Sequence, residues 1–341
     1  MKKSSPIRRI VGNKTFTLVV VWVAILVMFT IINGNYFTLR NIKNMFNTAF
    51  NTGMLAIGLS CLLISGAIDL STGSTAMVGG IIVALLMQAD VPWVPALLIT
   101  MAFGAVVGLI NAFFVNILGF PSFISTLAMG TVLTGLGSVI TRMQFIAINN
   151  EGFRDLGSYS LFDVIPLTFL ITAVLMIVYG FILQRTRIGR RIYIVGGNNQ
   201  AARLAGINPK KISTVLFINN GCISCLVGSL VAARMQMGSP TANLGSDLDA
   251  ITAVVLGGVS FMGGTGGMFG AFIGVMLLTC FKNGLVLIGL NTHYQVVLTG
   301  VLLIAALTLD HFRERSRLRY LRSGEQENLA AKLAKLKRGE G

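Results

Sequence analysis

Charge is scarce in this chain. Only 11% of its 341 residues are charged, 54% are hydrophobic and the mean hydropathy is +0.78. A water-soluble domain of that composition would expose broad apolar surface, which excludes a soluble fold. Two histidines and four cysteines leave little for metal or redox chemistry. The sequence has no G-x-x-x-x-G-K-[ST] phosphate loop, no H-E-x-x-H and no paired metal-ligand set. Cys222 and Cys225 form a C-x-x-C inside an apolar run with no second pair nearby, which reads as packing thiols. His293 sits beside Tyr294 at an expected membrane edge, where it reads as an interfacial anchor, and His311 lies beside a basic tail. A membrane hydrolase needs reactive side chains clustered at depth, and here they are scattered. Proton coupling needs a relay of acids, and no such series is visible. The segment Phe16–Ile32 lacks a small-residue cleavage site, so it reads as a first span rather than a cleavable signal.

What the chain does have is a series of uncharged runs approaching twenty residues, the mark of an all-α polytopic membrane protein. Ten are expected, at about 16–32, 45–65, 75–87, 93–118, 122–141, 163–183, 212–233, 250–260, 268–289 and 294–309. Net charge is +15, and 21 of the 27 Lys and Arg residues fall into three segments: before the first span, between residues 185 and 211, and after Asp310. The positive-inside rule puts all three in the cytoplasm, with both termini inside and an even number of spans. The basic balance thus reports topology and contact with anionic lipid, and not nucleic acid. This divides the chain into a basic N-terminus (1–15), a single transmembrane domain (16–309) and a basic tail (310–341). If the ten spans form two five-span halves, the odd number forces the second to be inverted. Residues 141–162 and 234–249 carry no basic excess and are expected outside.

The middle basic segment, 184–211, is the long polar interruption of the chain, and it holds a short helix with both ends marked. Asn198 or Asn199 can cap its start, Gly206 suits the left-handed residue that closes it, and Pro209 forbids its continuation. About eight residues give roughly 12 Å, too short to cross a bilayer. It is either a docking element or a tidy loop.

Residues 65–74 are polar and glycine-rich, with one carboxylate, and read as a helix break at or inside the membrane. Asp69 or Ser71 can cap the following helix; alternatively Asp69, Ser71 and Thr72 line a pathway or gate. Asp247 and Asp249 read as helix-start acids at the outer face, with Asp247 also a candidate for the pathway or gate. Gly266, Gly270 and Gly274 recur every fourth residue, as do Gly104 and Gly108, giving glycine faces for close helix packing or for a moving interface. In the tail, Leu329, Leu333 and Leu336 share one helical face, which suits either anionic lipid or a solvated, frayed helix.

Several ordered motifs resemble one family. Gly66-Ala-Ile-Asp-Leu-Ser-Thr-Gly-Ser74 looks like the signature after the second span of ribose-type ABC importer permeases. Gly196-Gly-Asn-Asn-Gln-Ala-Ala-Arg-Leu-Ala-Gly-Ile207 looks like their cytoplasmic coupling segment. Ser239-Pro-Thr-Ala242, Leu248-Asp-Ala-Ile251, Val255-Leu-Gly-Gly-Val-Ser260, Gly263-Gly-Thr-Gly266 and Asn283-Gly-Leu-Val-Leu-Ile-Gly-Leu290 follow in the family's order. Ala67, Thr72 and the length of the tail depart from the pattern. The resemblance implies a type II-like permease in a bacterial inner membrane that imports a monosaccharide and is not itself an enzyme. It also implies a second copy or sister permease, two cytoplasmic ATPase subunits that hold the ATP and magnesium, and an extracytoplasmic binding protein. Gly197, Asn198, Asn199, Ala202, Arg203, Leu204, Ala205 and Gly206 would form the ATPase contact, with Ala202, Leu204 and Ala205 in its groove. Nucleosides or branched-chain amino acids are the alternative cargo, and an ion-coupled secondary transporter is the rival class.

Overall fold

Two long helices carry the interior: α2 (Leu39–Ile64) and α10 (Pro209–Met235), whose most apolar stretches are 83% and 72% buried inside the chain. They are the second and seventh of the expected apolar runs, packed on every side, the pattern of a helix surrounded by other helices. The computed structural model describes residues 14–291, 293–308 and 310–312. Lys2, Lys3, Arg8 and Arg9, and the tail with Leu329, Leu333 and Leu336, lie outside the described residues.

Around this pair stand α1 (Lys14–Ile32), α3 (Thr72–Gln88), α4 (Trp93–Asn116), α5 (Ser122–Thr141), α7 (Leu167–Arg185), α11 (Ser246–Leu256), α12 (Met268–Leu287) and α13 (His293–Phe312). Three short helices, α6 (Glu151–Ser158), α8 (Arg187–Gly197) and α9 (Asn199–Leu204), lie in connections. Four two-residue strands pair as β1 (Ile146–Ala147) with β4 (Met237–Gly238) and β2 (Ser160–Leu161) with β3 (Ile165–Pro166), both antiparallel.

Among the described residues, seven helices are long and apolar enough to cross a membrane: α2, α4, α5, α7, α10, α12 and α13. The ten expected runs all became helices, but three are too short to span by themselves: α1 and α3 each offer an apolar stretch 17 residues long, and α11 has 11 residues. At 1.5 Å per residue α11 spans about 16 Å, roughly half a hydrocarbon core. Boundaries moved as well. Residues 39–43, expected in an outer connection, form the first turn of α2. Residues 163–166 belong to the β2–β3 turn and strand, so α7 begins at Leu167. The connection 184–211 is mostly helical, because Ile192 and Val195 of α8 recur at a spacing that buries one face while Arg187, Arg190 and Arg191 stay exposed.

Contacts between connections sort the helix ends into two groups. One end of the bundle gathers Asn33 with Leu287, Lys43 with Asp163, Gln88 with Ala147, and Arg234 with Asn47. The other gathers Ile64 with Gly264, Ile68 with Ser122, Asn116 with Lys210, and Ser260 with Asp310. The starts of α1 and α10, all of α8 and α9, and the end of α13 lie at this second end, which therefore carries the middle basic segment. The β1–β4 pairing joins the two acid-bearing connections at the first end, as their shared lack of basic excess suggested.

Glycine sets the spacing of the core. A Cβ on Gly221 of α10 would strike the Gly104 carbonyl oxygen, and one on Gly108 would strike that of Phe217, so α4 and α10 touch backbone to backbone. Farther along α10, Gly228 meets Ala76 and Gly80 of α3 in the same way. Cys225 fills the seam, its sulfur against Gly79 and Gly104, as expected for a packing thiol. The second glycine face is shorter than expected. Gly270 and Gly274 lie on α12 against the carbonyls of Gly257, just after α11, and Ala253 in α11, but Gly266 precedes the helix, at φ 129°.

Candidate functional site

The two helix breaks converge inside the bundle. Between α2 and α3 the chain turns through residues 65–71, and between β4 and α11 it turns through residues 239–245. Oγ of Ser246, the first residue of α11, accepts from Nδ2 of Asn51 at 3.4 Å, and Asn51 lies halfway along α2. A Cβ on Gly73, in the first turn of α3, would fall 2.7 Å from the Asn243 oxygen and 3.2 Å from Oδ1 of Asp247. Asp247 and Asp249 are indeed helix-start acids, but the start of α11 is in mid-bundle and not at the outer face. The connection 239–245 dips inward because β4 is pinned at the first end while α11 must reach Gly270 and Gly274 near the other. Asp249 is balanced there by Lys282 of α12, 2.7 Å away.

Asp69 sits at the bottom of the first break, 2% exposed. Its Oδ1 accepts from the Ser71 amide (2.9 Å) and the Ser71 hydroxyl (2.6 Å), closing an Asx turn just before α3. Its Oδ2 accepts from Nδ2 of Asn220 on α10 at 2.9 Å, and the same Nδ2 lies 3.1 Å from Oγ1 of Thr72. Asn111 of α4 donates to Oγ of Ser71 at 2.9 Å. From α5, Ser122 and Thr126 accept the amides of Ile68 and Leu70. Backbone amides of a broken helix need partners where water is excluded; here α5 accepts two of them and Asp69 a third, while α4 and α10 bond the side chains of the break. Asp69 therefore both shapes the turn that starts α3 and cross-links it to α10. Ser71 occupies the cap position without a side-chain cap bond. Sequence reading missed Asn111, Asn220, Ser122 and Thr126; the available signal was an amide or hydroxyl inside an apolar run, which must find a partner when buried.

The short helix lies at the basic end. Asn198, and not Asn199, is its cap: its Oδ1 accepts from the amides of Gln200 (2.9 Å) and Ala201 (3.0 Å). Gly206, at φ 73°, closes it, with the Gly206 amide bonded to Arg203 O and the Ile207 amide to Ala202 O. The helix has six residues, fewer than the eight expected, since Asn208 caps α10 immediately afterwards with Pro209 in its first turn. Its outward surface consists of Gln200, Ala201, Arg203, Leu204 and Ala205; Leu204 is 91% exposed. Ala202 is fully buried within the chain, so it faces α8 and α10 rather than any partner. Gly197 and Asn199 are exposed at its start. Beside it, Arg203, Gly206, Ile207, Asn208, Pro209 and Lys210 line an open hollow of about 480 Å³.

A family profile described as branched-chain amino acid transport system / permease component matches residues 41–307. The chain is 32% identical over 301 residues to the ribose import permease protein RbsC of Escherichia coli strain K12, covering 86% of this chain and 93% of that protein. It is 30% identical over 301 residues to the L-arabinose ABC transporter permease protein AraH of Azospirillum brasilense, with 88% of each covered. It is 31% identical over 365 residues to the xylose transport system permease protein XylH of Haemophilus influenzae, covering 88% and 96%. No solved structure matches the chain.

Proposed function

The chain belongs to the branched-chain amino acid transport system / permease component family, as a multi-pass membrane transport component and not an enzyme, and we propose that it forms the sugar pathway of a binding-protein-dependent ABC importer for a monosaccharide such as ribose. Ribose, arabinose and xylose in the relatives' names support a simple sugar as cargo. The carrying observation is α9: a rigidly capped helix, too short to span, that presents Leu204 and Arg203 outward at the basic end of the bundle. With that end in the cytoplasm by the positive-inside rule, both termini lie inside and α9 faces a cytoplasmic ATPase pair that carries the ATP and magnesium. The opposite end, with β1–β4, faces the binding protein. Helix directions support ten membrane-associated helices in two inverted sets of five, α1–α5 and α7 with α10–α13, and a second permease copy or a sister permease completes the pathway.

ATP-driven closure of the ATPase pair shifts α9, and the bundle exchanges one packing for another because the two ATPase states contact it differently. In this reading the two helix breaks, with Asp69, Ser71, Thr72 and Asp247, are the elements that rearrange, while the glycine seams of α10 with α3 and α4 stay packed. The family description favours branched-chain amino acids as the second cargo, with nucleosides behind them. Uptake of labelled ribose, arabinose, xylose, leucine and a nucleoside into vesicles holding the chain with its ATPase and binding protein separates these. ATP-dependent uptake of a sugar by the full set alone supports the proposal. Uptake by the chain alone along an ion gradient overturns it in favour of a secondary transporter.

A further inference from the structure

At the basic end of the bundle three chain segments meet with no side chains between them. Gly66 follows α2, Gly196 lies in the last turn of α8, and Gly263, Gly264 and Gly266 lie in the connection from α11 to α12. A Cβ on Gly196 would strike the Ile64 carbonyl oxygen and sit 2.7 Å from the Gly264 nitrogen. One on Gly263 would sit 2.9 Å from the Gly196 oxygen and 3.0 Å from the Gly66 Cα. Gly66, Gly263, Gly264 and Gly266 all have positive φ, and the Gly264 amide donates to Ile64 O at 2.8 Å. Only glycine meets both demands, so the junction is specified by sequence and has no flexible side chains to absorb a displacement.

Tyr193 of α8 reaches across this junction. Its hydroxyl donates to the Gly266 carbonyl at 2.8 Å. A tyrosine hydroxyl is protonated and donating at neutral pH, and burial, with a smaller contribution from Cys61, raises this one further above the ordinary tyrosine value. On its far side the same connection is held by Asp310, whose Oδ2 accepts from the Phe261 amide (3.0 Å) and lies 3.3 Å from Oγ of Ser260. Each arm of the junction leads to a functional element. Gly66 stands three residues before Asp69. The 257–267 connection continues α11, whose start carries Asp247. α8 runs directly into α9.

We propose that Tyr193 is a positioning residue that transmits movement of α9 to the 257–267 connection and thereby to both helix breaks at once. The inference rests on the transport reading above and adds the point of entry: α8, not α9 itself, delivers the displacement to the core. A bond that merely held the shape of the connection would, when lost, reduce assembled complex and so lower transport and ATP hydrolysis together. A transmitting bond, when lost, separates them.

The test is Tyr193→Phe, which keeps the ring, in the complete complex with ATPase and binding protein in proteoliposomes. Sugar taken up per ATP hydrolysed should fall about tenfold, within the range usual for coupling between sites, while hydrolysis stays within about twofold of the parent. An unchanged ratio overturns the proposal. Amide exchange across residues 257–267 of the same complex, with and without ATP, gives a second reading that needs no sugar. The parent should show an ATP-dependent change there and Tyr193→Phe should lose it; a parent connection indifferent to ATP also overturns the proposal. Failure of the parent complex to take up any tested sugar, with that exchange response intact, counts against the cargo assignment and leaves the transmission standing.

Discussion

Asp69 and Asn220 stand 151 residues apart in the chain and meet at 2.9 Å, carboxylate to amide, where α2, α3, α4 and α10 come together. Both are buried, and the carboxylate has donors on both oxygens. The bond ties the turn that begins α3 to the centre of the longest interior helix, so the first helix break cannot shift without either breaking it or carrying α10 along.

That pair predicts a swap. Asn220→Asp places two carboxylates face to face in a buried site, where one must take up a proton, and should cost roughly 3–5 kcal/mol. Adding Asp69→Asn restores one acid and one amide at the same spacing and should recover most of the loss. Thermal unfolding of the four variants in detergent decides it; a double variant no more stable than Asn220→Asp would show that the pair does not hold the break.

The glycine seam predicts opposite outcomes for two glycines in apolar helices. Gly221→Ala drives a methyl into the Gly104 carbonyl and should destabilise by about 1–3 kcal/mol, the usual cost of overpacking. Gly135→Ala in α5 meets nothing within 4 Å and should stabilise its helix by roughly 0.5–1 kcal/mol. Equal effects at the two positions would mean that α4 and α10 are not in backbone contact.

On α9, side-chain direction separates docking from folding. Leu204→Asp and Arg203→Glu change outward groups and should weaken capture of the ATPase subunit about tenfold or more, as anchors in an interface do, with unaltered unfolding. Ala202→Asp should instead lower stability, because its Cβ is enclosed within this chain. Titration of the ATPase subunit against each purified variant, beside its unfolding curve, reads the difference. Normal capture by Leu204→Asp would remove α9 from the interface.

The half-buried pair of Lys282 and Asp249 should show a favourable coupling of about 1 kcal/mol or more in a double-mutant cycle, above the value for exposed pairs. Lys43 and Asp163, 3.4 Å apart with the Asp163 side chain in solvent, should show almost none. Unfolding of the single and double alanine variants measures both; equal couplings would show that the helix start of α11 is solvated.

Orientation is tested by labelling intact cells with a thiol reagent that does not cross the membrane. Asp163→Cys should react and Arg203→Cys should react only after the cells are opened. The reverse pattern would turn the bundle over and remove the positive-inside argument.

Much of this was legible in order along the chain. The middle basic segment fell at one end of the bundle with the start of α1 and the end of α13, the helix punctuation at Asn198 and Gly206 held, and the ordered motifs from Gly66 to Leu290 pointed to the family that the profile and relatives then gave. Each is a local or compositional signal, so no knowledge of contacts was needed. Direction was harder. Ala202 and Leu204 are both apolar residues on one short helix, and their spacing, about 200° around the axis, sets them on opposite sides without saying which turns inward. Gly266 matched the period of Gly270 and Gly274 yet lies before the helix, because its carbonyl is taken by Tyr193 and its φ of 129° is open only to glycine.

The sequence by itself determined that this is a helical membrane protein, which ends of its helices share a side, and that the chain breaks at residues 65–74. These follow from hydropathy, charge and backbone chemistry, all of which act over a few residues. Only the tertiary structure decided what the breaks are tied to. Asp247 belongs beside Gly73 in mid-bundle, Asn220 belongs to Asp69, and Tyr193 belongs to Gly266. The physical reason is that a buried polar group must be satisfied by whichever donor or acceptor the packing brings within reach, and packing is a property of the whole chain.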